Sequence, residues 1–251
     1  MTNILLSGAC GKMGNAVARC AKENPDTQVI AGVDKAEMLC DFPVFKSFAD
    51  VNIKPDVIID FSHVSVLDDL LSYAINNNIP VVLAVTGYTT EQIAKINDAA
   101  KQIPVFFTAN MSLGVNLLCS LAKSAAKFLG GAFDVEIIEK HHNQKIDAPS
   151  GTALMLANAV NEVFDDKCTY EYDRHSKRQK RPQNEIGIHA IRGGTIVGEH
   201  DVIFAGHDEV LTLSHSAQSK EVFAAGAVKA AVFMVNQKCG MYDMGSILNL
   251  K

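Results

Sequence analysis

The amino-acid sequence predicts an α/β protein with two domains, a parallel-sheet domain first and an α+β domain after it. Up to about residue 110, short apolar runs alternate with segments of helical periodicity. These runs are almost continuously apolar, as in parallel strands that helices cover on both faces. After residue 111 a long helical segment follows, and then successive strand-like runs with polar turns. Because the chain has 251 residues, it is long enough for one large domain or two modest ones.

The first domain is predicted to alternate strands and helices from its beginning. TNILLS is an apolar run, a glycine-rich turn follows it, and the next residues have helical spacing. Further strands are predicted at 28–34, 56–62, 80–88 and 104–110, and helices at 67–78 and 91–102. This alternation predicts a sheet with helices on both faces.

The second domain is predicted to begin with the long helix 111–130 and a strand that ends near His142. A further helix is predicted at 152–164. Three strand-like runs then follow one another and suggest a mostly antiparallel sheet, at 185–194, 195–206 and 209–217. A last long helix is predicted at 220–235, with a short tail after it.

Composition and charge are those of a soluble globular protein. Hydrophobic residues make up 48% and charged residues 20% of the chain. The formal net charge of -5 argues against nucleic-acid binding, which draws on a basic surface. The first residues show no secretory signal, and the apolar run 222–235 is interrupted by Lys229 and is too short to span a bilayer comfortably. We therefore expect a cytoplasmic protein with neither a membrane nor a nucleic-acid partner.

The segment 165–185 is polar and highly charged, and five basic but no acidic residues lie between 174 and 181. Charge runs of this kind are usually solvated mobile loops. One or two of these cations could instead help to draw in an anionic substrate.

A glycine-rich loop joins the first predicted strand to the first helix. SGACGKMG contains Gly8, Gly11 and Gly14, and Asp34 follows Gly14 by twenty residues at the end of the second strand. Glycines let the backbone approach a pyrophosphate, and the helix N-terminus supplies N–H groups and a positive dipole end. The loop alone is compatible with a bare tight turn, but this context favours a Rossmann-type dinucleotide site.

The choice between NADH and NADPH depends on the residues after the second strand. Asp34 would accept hydrogen bonds from a ribose diol and repel a 2′-phosphate, whereas Lys35 could partly neutralise that phosphate. We expect both cofactors to work, NADH at least as well. TGY at 86–88 and TAN at 108–110 follow later strands, which makes them candidates for the nicotinamide side or else ordinary turns.

The stretch EKHHNQKIDAPSGTA, at 139–153, places cationic and titratable groups just before a predicted helix. His141, His142 and Lys145 precede a turn whose Ser150 or Thr152 could cap the helix. Surface charge is one explanation for this cluster, and a metal site is another. A histidine pair needs a further ligand, none stands out, and the six cysteines have no CxxC spacing, so we expect no metal. A helix N-terminus behind these cations is instead a suitable cradle for a carboxylate.

EIIEKHHNQKIDAPSGTAL resembles the signature of the 4-hydroxy-tetrahydrodipicolinate reductase (dihydrodipicolinate reductase) family of lysine biosynthesis. The similarity extends along nearly the whole chain, through SGACGKMG, ANMSLGVN at 109–116, EIGIHAIRGGTIVGEHDVIFAG at 185–206 and FAAGAVKAA near the end. The resemblance implies a Rossmann-type domain, 1–111 with 222–251, which the C-terminal helix completes. It also implies a substrate-binding and oligomerisation domain, 112–221, with an open mixed sheet, and a homotetramer.

The resemblance implies the reduction of a cyclic unsaturated dicarboxylate to tetrahydrodipicolinate, with a hydride from NADH or NADPH and loss of water. Carried over by position, His141 is the proton donor and Lys145 the second acid, which also binds substrate. His142 is a substrate-binding histidine. Gly151 and Thr152, with Ser150 beside them, hold a carboxylate. A histidine suits this proton transfer near neutral pH.

The same resemblance, with Lys35 added by the charge argument, gives the expected cofactor contacts: Gly8, Ala9, Cys10, Gly11, Lys12, Met13, Asp34, Lys35, Ala84, Val85, Thr86, Thr108, Ala109, Asn110 and Met111. Two departures affect these assignments. The family often has Gly-Thr-Thr where this chain has Ala84-Val85-Thr86, and often has arginine where this chain has Lys220. A lysine keeps the charge but loses the bidentate fork.

Two other functions stay open from the sequence. Another two-domain Rossmann oxidoreductase of amino-acid metabolism would share the plan, although its reaction would not call for this cationic cluster. A dinucleotide sensor without turnover would need neither an acid pair nor a carboxylate cradle.

Overall fold

A computed structural model describes residues 1–36 and 38–248 of the chain. The chain divides into two compact units, the first formed by Met1–Leu113 and the chain from Glu221 on, the second by Gly114–Lys220. The first unit holds a seven-stranded sheet and the second a five-stranded sheet. The predicted fold class, a Rossmann-type parallel sheet joined to a unit with a mixed sheet, is confirmed.

The sheet of the first unit is parallel at each of its six pairings. Its strands are β1 (Thr2–Ser7), β2 (Thr27–Val33), β3 (Val44–Phe45), β4 (Val57–Asp60), β5 (Val81–Leu83), β6 (Pro104–Phe107) and β12 (Gly240–Tyr242). They lie in the order β12–β6–β5–β4–β1–β2–β3. The order reverses at β1, and in a doubly wound sheet the crevice at this point is where a dinucleotide binds.

Helices cover both faces of this sheet. They are α1 (Lys12–Glu23), α2 (Leu67–Asn77), α3 (Thr90–Ala99), α6 (Glu221–Met234) and α7 (Met244–Leu248). One core contains buried residues of α1 and α6, and the other contains buried residues of α2 and α3. Helix α6 therefore belongs to the core of the first unit, although more than a hundred residues separate it from β6.

Close approach of backbone to backbone positions α6. A Cβ added at Gly226 would lie 1.8 Å from the carbonyl oxygen of Met111, a distance that real side chains do not tolerate. Ala224, Ala227 and Ala231 on the same helix are almost completely buried. Small residues thus allow α6 to pack tightly within this unit.

Several predicted elements of the first unit have different bounds in the structure. The strands predicted at 56–62, 80–88 and 104–110 end at Asp60, Leu83 and Phe107. The residues after them are loops at the carboxyl edge of the sheet. The predicted short tail contains β12, which pairs with β6, and α7.

The second unit has a mixed sheet with two helices. The strands are β7 (Asp134–His141), β8 (Thr169–Glu171), β9 (Glu185–Arg192), β10 (Gly198–Ala205) and β11 (Val210–Ala217), and the helices are α4 (Leu113–Leu129) and α5 (Gly151–Val163). The strand order is β11–β10–β7–β9–β8. Alternate residues of β7, β9 and β10 pack with α4 and α5 in one core, which leaves the other face of the sheet to the residues in between.

The expectation of a mostly antiparallel sheet is wrong for this unit. The β11–β10 and β10–β7 pairings are antiparallel, whereas β7–β9 and β8–β9 are parallel. Consecutive strands usually pair, but β7 lies between β9 and β10 and separates them. This arrangement brings the end of β7 between Arg192 on one side and Gly198 on the other.

The basic segment is more ordered than a solvated loop. Part of 165–185 forms β8, and three of the five cations between 174 and 181 pair with carboxylates of the same unit. Arg174 pairs with Glu185, Lys177 with Glu171, and Arg181 with Asp134 and Glu136. Arg174 and Lys177 therefore bind carboxylates of β9 and β8, and Arg181 binds carboxylates of β7. These three cations hold the segment to the sheet rather than presenting their charge to a substrate.

Within residues 1–36 and 38–248, every helix is too short or too polar to cross a lipid bilayer.

Candidate functional site

The glycine-rich loop lies where β1 gives way to α1. Gly8 has φ +78°, in the region that favours glycine. A Cβ at Gly14 would lie 2.2 Å from the carbonyl oxygen of Gly8, so the first turn of α1 packs directly on the loop. Gly11 is the N-cap residue and provides no side-chain cap. The first N–H groups of α1 have no intrahelical partner, as a pyrophosphate site requires.

Asp34 directly follows β2, and its side chain binds the backbone of the glycine-rich loop. Its Oδ2 accepts a hydrogen bond of 2.9 Å from the backbone N–H of Cys10, and its Oδ1 accepts one of 2.9 Å from that of Ala36. The carboxylate is thus fixed beside the glycine-rich loop, where a ribose diol could donate to it.

A cavity of about 390 Å³ opens at this edge of the sheet. Four of the residues expected to contact the cofactor line it, namely Gly8, Gly11, Asp34 and Lys35. The cavity is also lined by residues that the sequence did not single out, among them Lys46, Phe61, Ser62 and His63. They follow β3 and β4, and their position became visible only with the strand order. The glycines, the fixed carboxylate and the polar lining fit the adenosine and pyrophosphate part of a dinucleotide.

The remaining predicted cofactor residues lie at the same carboxyl edge, after β5 and β6. Ala84 donates its backbone N–H to the carbonyl oxygen of Asp60, 3.0 Å away. The loop after β6 is held by its own residues, because Asn110 Oδ1 accepts from the N–H of Ser112 at 2.8 Å. Parallel strands bring the predicted segments 84–86 and 108–111 to the edge that carries the glycine-rich loop.

The second unit gathers its chemistry at the start of α5. Ser150 is the N-cap residue, and its Oγ accepts a hydrogen bond of 3.1 Å from the N–H of Ala153. The same Oγ lies 3.0 Å from Nε2 of His200. Ser150 is buried, and its hydroxyl organises the start of α5. Its expected contact with substrate stays a prediction. Gly151 has open space where a Cβ would stand, which leaves room for a ligand.

Glu139 is the centre of this cluster, and its side chain is completely buried. Oε2 lies 2.6 Å from Nδ1 of His141, and Oε1 accepts the backbone N–H of Ser150 at 3.0 Å. The guanidinium of Arg192 donates to both oxygens, at 2.7 and 2.6 Å. Burial alone would favour the protonated acid, but the hydrogen bonds from Arg192, His141 and Ser150 hold the pKa of the Glu139 carboxyl below its usual value.

His200 stays neutral beside this cluster. Burial is the main reason, and the neighbouring His141 adds to it; together they lower the pKa of His200 to about 4. The two imidazole rings meet edge to face, with centroids 5.2 Å apart. His200 therefore acts as a neutral hydrogen-bond partner of Ser150 near physiological pH.

Lys145 lies in the loop between β7 and α5 and is mostly buried. Its Nζ lies 2.7 and 2.8 Å from the two carboxylate oxygens of Asp147, whose own side chain is largely exposed. The hydrogen bond from Lys145 lowers the pKa of Asp147. His142 is half-buried in the same loop, and its carbonyl oxygen accepts the N–H of Lys145 at 3.2 Å.

The structure thus places His141, Lys145, Ser150 and the start of α5 in one region. Three further residues lie there that were not predicted from the sequence. Glu139 could have been found, because it stands two positions before His141 on the same strand and so shares its face. Arg192 and His200 could not, because only the pairing of β9 and β10 with β7 brings them there. Lys220 is exposed at the end of the second unit.

Comparison with known proteins gives the family. Residues 2–111 match the family model described as dihydrodipicolinate reductase, N-terminus, and residues 114–248 match the one described as dihydrodipicolinate reductase, C-terminus. A protein from Caldanaerobacter subterraneus subsp. tengcongensis named 4-hydroxy-tetrahydrodipicolinate reductase is 54% identical over 248 residues, which cover 99% of this chain and 98% of that protein. A Clostridium tetani protein of the same name is 49% identical over 250 residues, with 99% and 98% covered.

Solved structures agree with this result. The dipicolinate-bound dihydrodipicolinate reductase from Paenisporosarcina sp. TG-14 has a TM-score of 0.82 and 25% identity, and the match covers 99% of each chain. A probable dehydrogenase from Thermotoga maritima shares the fold alone, with a TM-score of 0.62 and 10% identity over 99% of this chain and 93% of that one. The chain belongs to the dihydrodipicolinate reductase family, and it is an oxidoreductase that uses a nicotinamide dinucleotide.

Proposed function

We propose that this chain reduces 4-hydroxy-tetrahydrodipicolinate to tetrahydrodipicolinate in the biosynthesis of diaminopimelate and lysine. The observation that carries the proposal is the arrangement at the end of β7. There, a histidine held by a buried carboxylate lies close to a helix N-terminus and to a loop with a lysine and a second histidine. An acid beside a carboxylate cradle is what the reduction of a dicarboxylate requires. The relatives from Caldanaerobacter and Clostridium carry the name of this reaction.

The reaction consumes one proton, and His141 supplies it. The substrate, NAD(P)H and a proton give tetrahydrodipicolinate, NAD(P)⁺ and water, with the hydride coming from the nicotinamide. Electron density that builds up on the substrate ring must be met by an acid. With Nδ1 held by Glu139, the Nε2 of His141 is the atom that donates the proton.

The dicarboxylate is bound by cations and by the start of α5. Gly151 and Thr152 present the helix N-terminus to one carboxylate, and His142 contributes a further contact. Lys145 pairs with the substrate once its ammonium group leaves Asp147, to which it is bound in this structure. The Paenisporosarcina protein was solved with dipicolinate, a dicarboxylate, bound to it.

The two units have different roles in the proposed reaction. The first, with the glycine-rich loop and the cavity beside Asp34, holds the dinucleotide through the fifteen residues given above from Gly8 to Met111. The second, with the His141 cluster, binds the substrate and joins four copies into a homotetramer. The face of its sheet that points away from α4 and α5 carries isoleucines at positions 138, 191 and 203, and Ile191 is 46% exposed in the single chain.

Both nicotinamide cofactors serve the enzyme, and NADH serves it at least as well as NADPH. Asp34 lies where a 2′-phosphate would be repelled, but Lys35 and Lys46 line the same cavity and reduce that repulsion. The measurement is kcat/KM for each cofactor. A Lys46→Ala variant should lose more activity with NADPH than with NADH, and a strong wild-type preference for NADPH would contradict the assignment to Asp34.

Freshly synthesised 4-hydroxy-tetrahydrodipicolinate tests the function itself. We expect the purified protein to oxidise NADH only when this substrate is present, with tetrahydrodipicolinate as the product. Binding of NADH without turnover would indicate a dinucleotide sensor. Turnover with another amino-acid precursor, such as a semialdehyde, would indicate a different oxidoreductase of the same plan.

A further inference from the structure

We propose that Glu139 and Arg192 are positioning residues for the reduction: Glu139 holds His141 in one tautomer and orientation, and Arg192 holds Glu139 and the loop before α5. The inference rests on the proposed function, since it concerns the same site. Neither residue was among those assigned from the family motif. Glu139 reaches the site because it stands two positions before His141 on β7. Arg192 reaches it because β9 pairs with β7 in parallel, with His141 opposite Arg192.

The contact between Glu139 and His141 determines which ring nitrogen carries the chemistry. An ionised carboxylate only accepts hydrogen bonds, so the proton in the 2.6 Å contact belongs to Nδ1. Nε2 is then the nitrogen that can exchange a proton with a ligand. It lies against the backbone of β10, where a Cβ added at Gly198 would be 3.1 Å away.

The second oxygen of Glu139 connects the acid to the carboxylate cradle. Oε1 accepts the backbone N–H of Ser150, the residue that caps α5. One buried carboxylate therefore fixes both the ring of His141 and the helix start that is proposed to bind substrate. Misplacing either by a fraction of an ångström is costly to a chemical step.

Arg192 has no capacity left for a ligand at its terminal nitrogens. Nη1 donates to Glu139 and to the carbonyl oxygen of Ile191, at 2.7 and 2.8 Å. Nη2 donates to Glu139 and to the carbonyl oxygen of Asp147, at 2.6 and 2.8 Å. All four terminal N–H groups are thus engaged, and the fifth, on Nε, is buried without a hydrogen-bond partner. The guanidinium therefore acts as a clamp between β7, β9 and the loop.

The charges around His141 predict what happens when the carboxylate is removed. Glu139 on the same strand, Arg192 on β9 and His200 on β10 face the ring; the loop contributes Lys145 and Asp147, and His215 lies beyond His200. A Glu139→Gln side chain would keep the volume but leave the Arg192 cation uncompensated. The charged form of the imidazole would then be disfavoured, and with it the acid.

The experiment compares Glu139→Gln and Arg192→Lys with the matched control Glu185→Gln. Glu185 is also a buried glutamate of this sheet with an arginine partner, Arg174, and it lies outside the site. We expect Glu139→Gln to lower kcat by roughly a hundredfold and to move the alkaline limb of the kcat profile to lower pH. Arg192→Lys should lower kcat by about tenfold. NADH affinity should stay within about twofold in both.

Glu185→Gln should retain kcat within about threefold and keep an unchanged pH profile. The reason is that the loss of a buried ion pair outside the site affects the stability of the protein and not its catalysis. If Glu139→Gln behaves like this control, with near-normal kcat and an unmoved pH profile, the positioning role is overturned.

A spectroscopic measurement separates this inference from the proposed function. In protein labelled with ¹⁵N-histidine, the His141 signals, identified by their loss in His141→Ala, should show a proton on Nδ1 in the wild type. Glu139→Gln should abolish that single tautomer. Wild-type protein that shows the tautomer but does not turn over the dicarboxylate would contradict the function alone. His141 signals unchanged by Glu139→Gln would contradict the positioning role, whatever the activity.

Discussion

At the end of β7, the buried carboxylate of Glu139 binds Nδ1 of His141 at 2.6 Å. Glu139 and His141 share a face because side chains alternate along a strand. The motif alone places His141 near a helix start. The alternation of side chains along β7 explains why Glu139 binds Nδ1 of His141. The order of the strands explains why Arg192 binds the carboxylate of Glu139. Residue types therefore indicate the proposed chemistry, whereas contacts across strands supply the environment of the side chains.

Buried His200 makes the stability of the protein depend on pH. Its folded pKa is lowered to about 4 from 6.5, so the unfolded chain binds more protons between these values. Stability is then greatest above pH 6.5 and is lost as the pH falls toward 4, by about 3 kcal/mol from this group. Denaturant unfolding followed by circular dichroism over this range should show the loss.

His200→Gln is the control for that loss, because an amide can still bond to Ser150 but does not titrate. The variant should unfold with a smaller pH dependence between pH 6.5 and 4 than the wild type. Equal slopes for the two proteins would contradict the assignment of a buried neutral histidine at this position.

The strands and helices were predicted with unequal success, for physical reasons. Long elements with a clear period, such as α1, α4 and β7, were visible in the sequence. Two- and three-residue strands such as β3, β8 and β12 are too short to carry a period. The parallel pairing of β9 with β7 was invisible as well, because the run that follows β9 looks like its hairpin partner.

Helix α6 provides a direct test of packing. Gly226→Ala raises helix propensity by about 1 kcal/mol but places a methyl group against the backbone of Met111. Since backbone must move to admit it, we expect a net loss of about 2 kcal/mol in the free energy of unfolding. Urea unfolding measures the effect.

Ala225→Gly, at an exposed position of the same helix, gives the matched control. It should lose about 1 kcal/mol through propensity alone. A stabilised Gly226→Ala protein would show that α6 does not approach Met111 as closely as the structure indicates.

The division into two compact units with a returning C-terminal helix could be predicted only in part. The change of pattern near residue 111 marks one boundary, at Leu113 in the structure. The return of the chain after Lys220 to the first unit has no local signal, since a helix is compatible with either unit, and it was expected from the family resemblance alone. The proposed tetramer likewise depends on a sheet face that no sequence pattern distinguishes from a solvent-exposed one.

The tetramer is tested by a charge placed on that face. Wild-type protein should have four times the chain mass by light scattering. Ile191→Lys should lower this mass, because it buries a charge where four sheets are proposed to meet. Ile93→Lys, a similarly exposed position on α3 in the first unit, should leave the tetramer intact. A monomeric wild type would contradict the proposed assembly.

The central claim, that His141 is the acid of a dicarboxylate reduction, is tested most directly by the turnover of His141→Ala. We expect kcat with 4-hydroxy-tetrahydrodipicolinate to fall by roughly 10²-fold or more, while the Kd for NADH stays close to that of the wild type. Near-normal turnover in this variant would contradict the account.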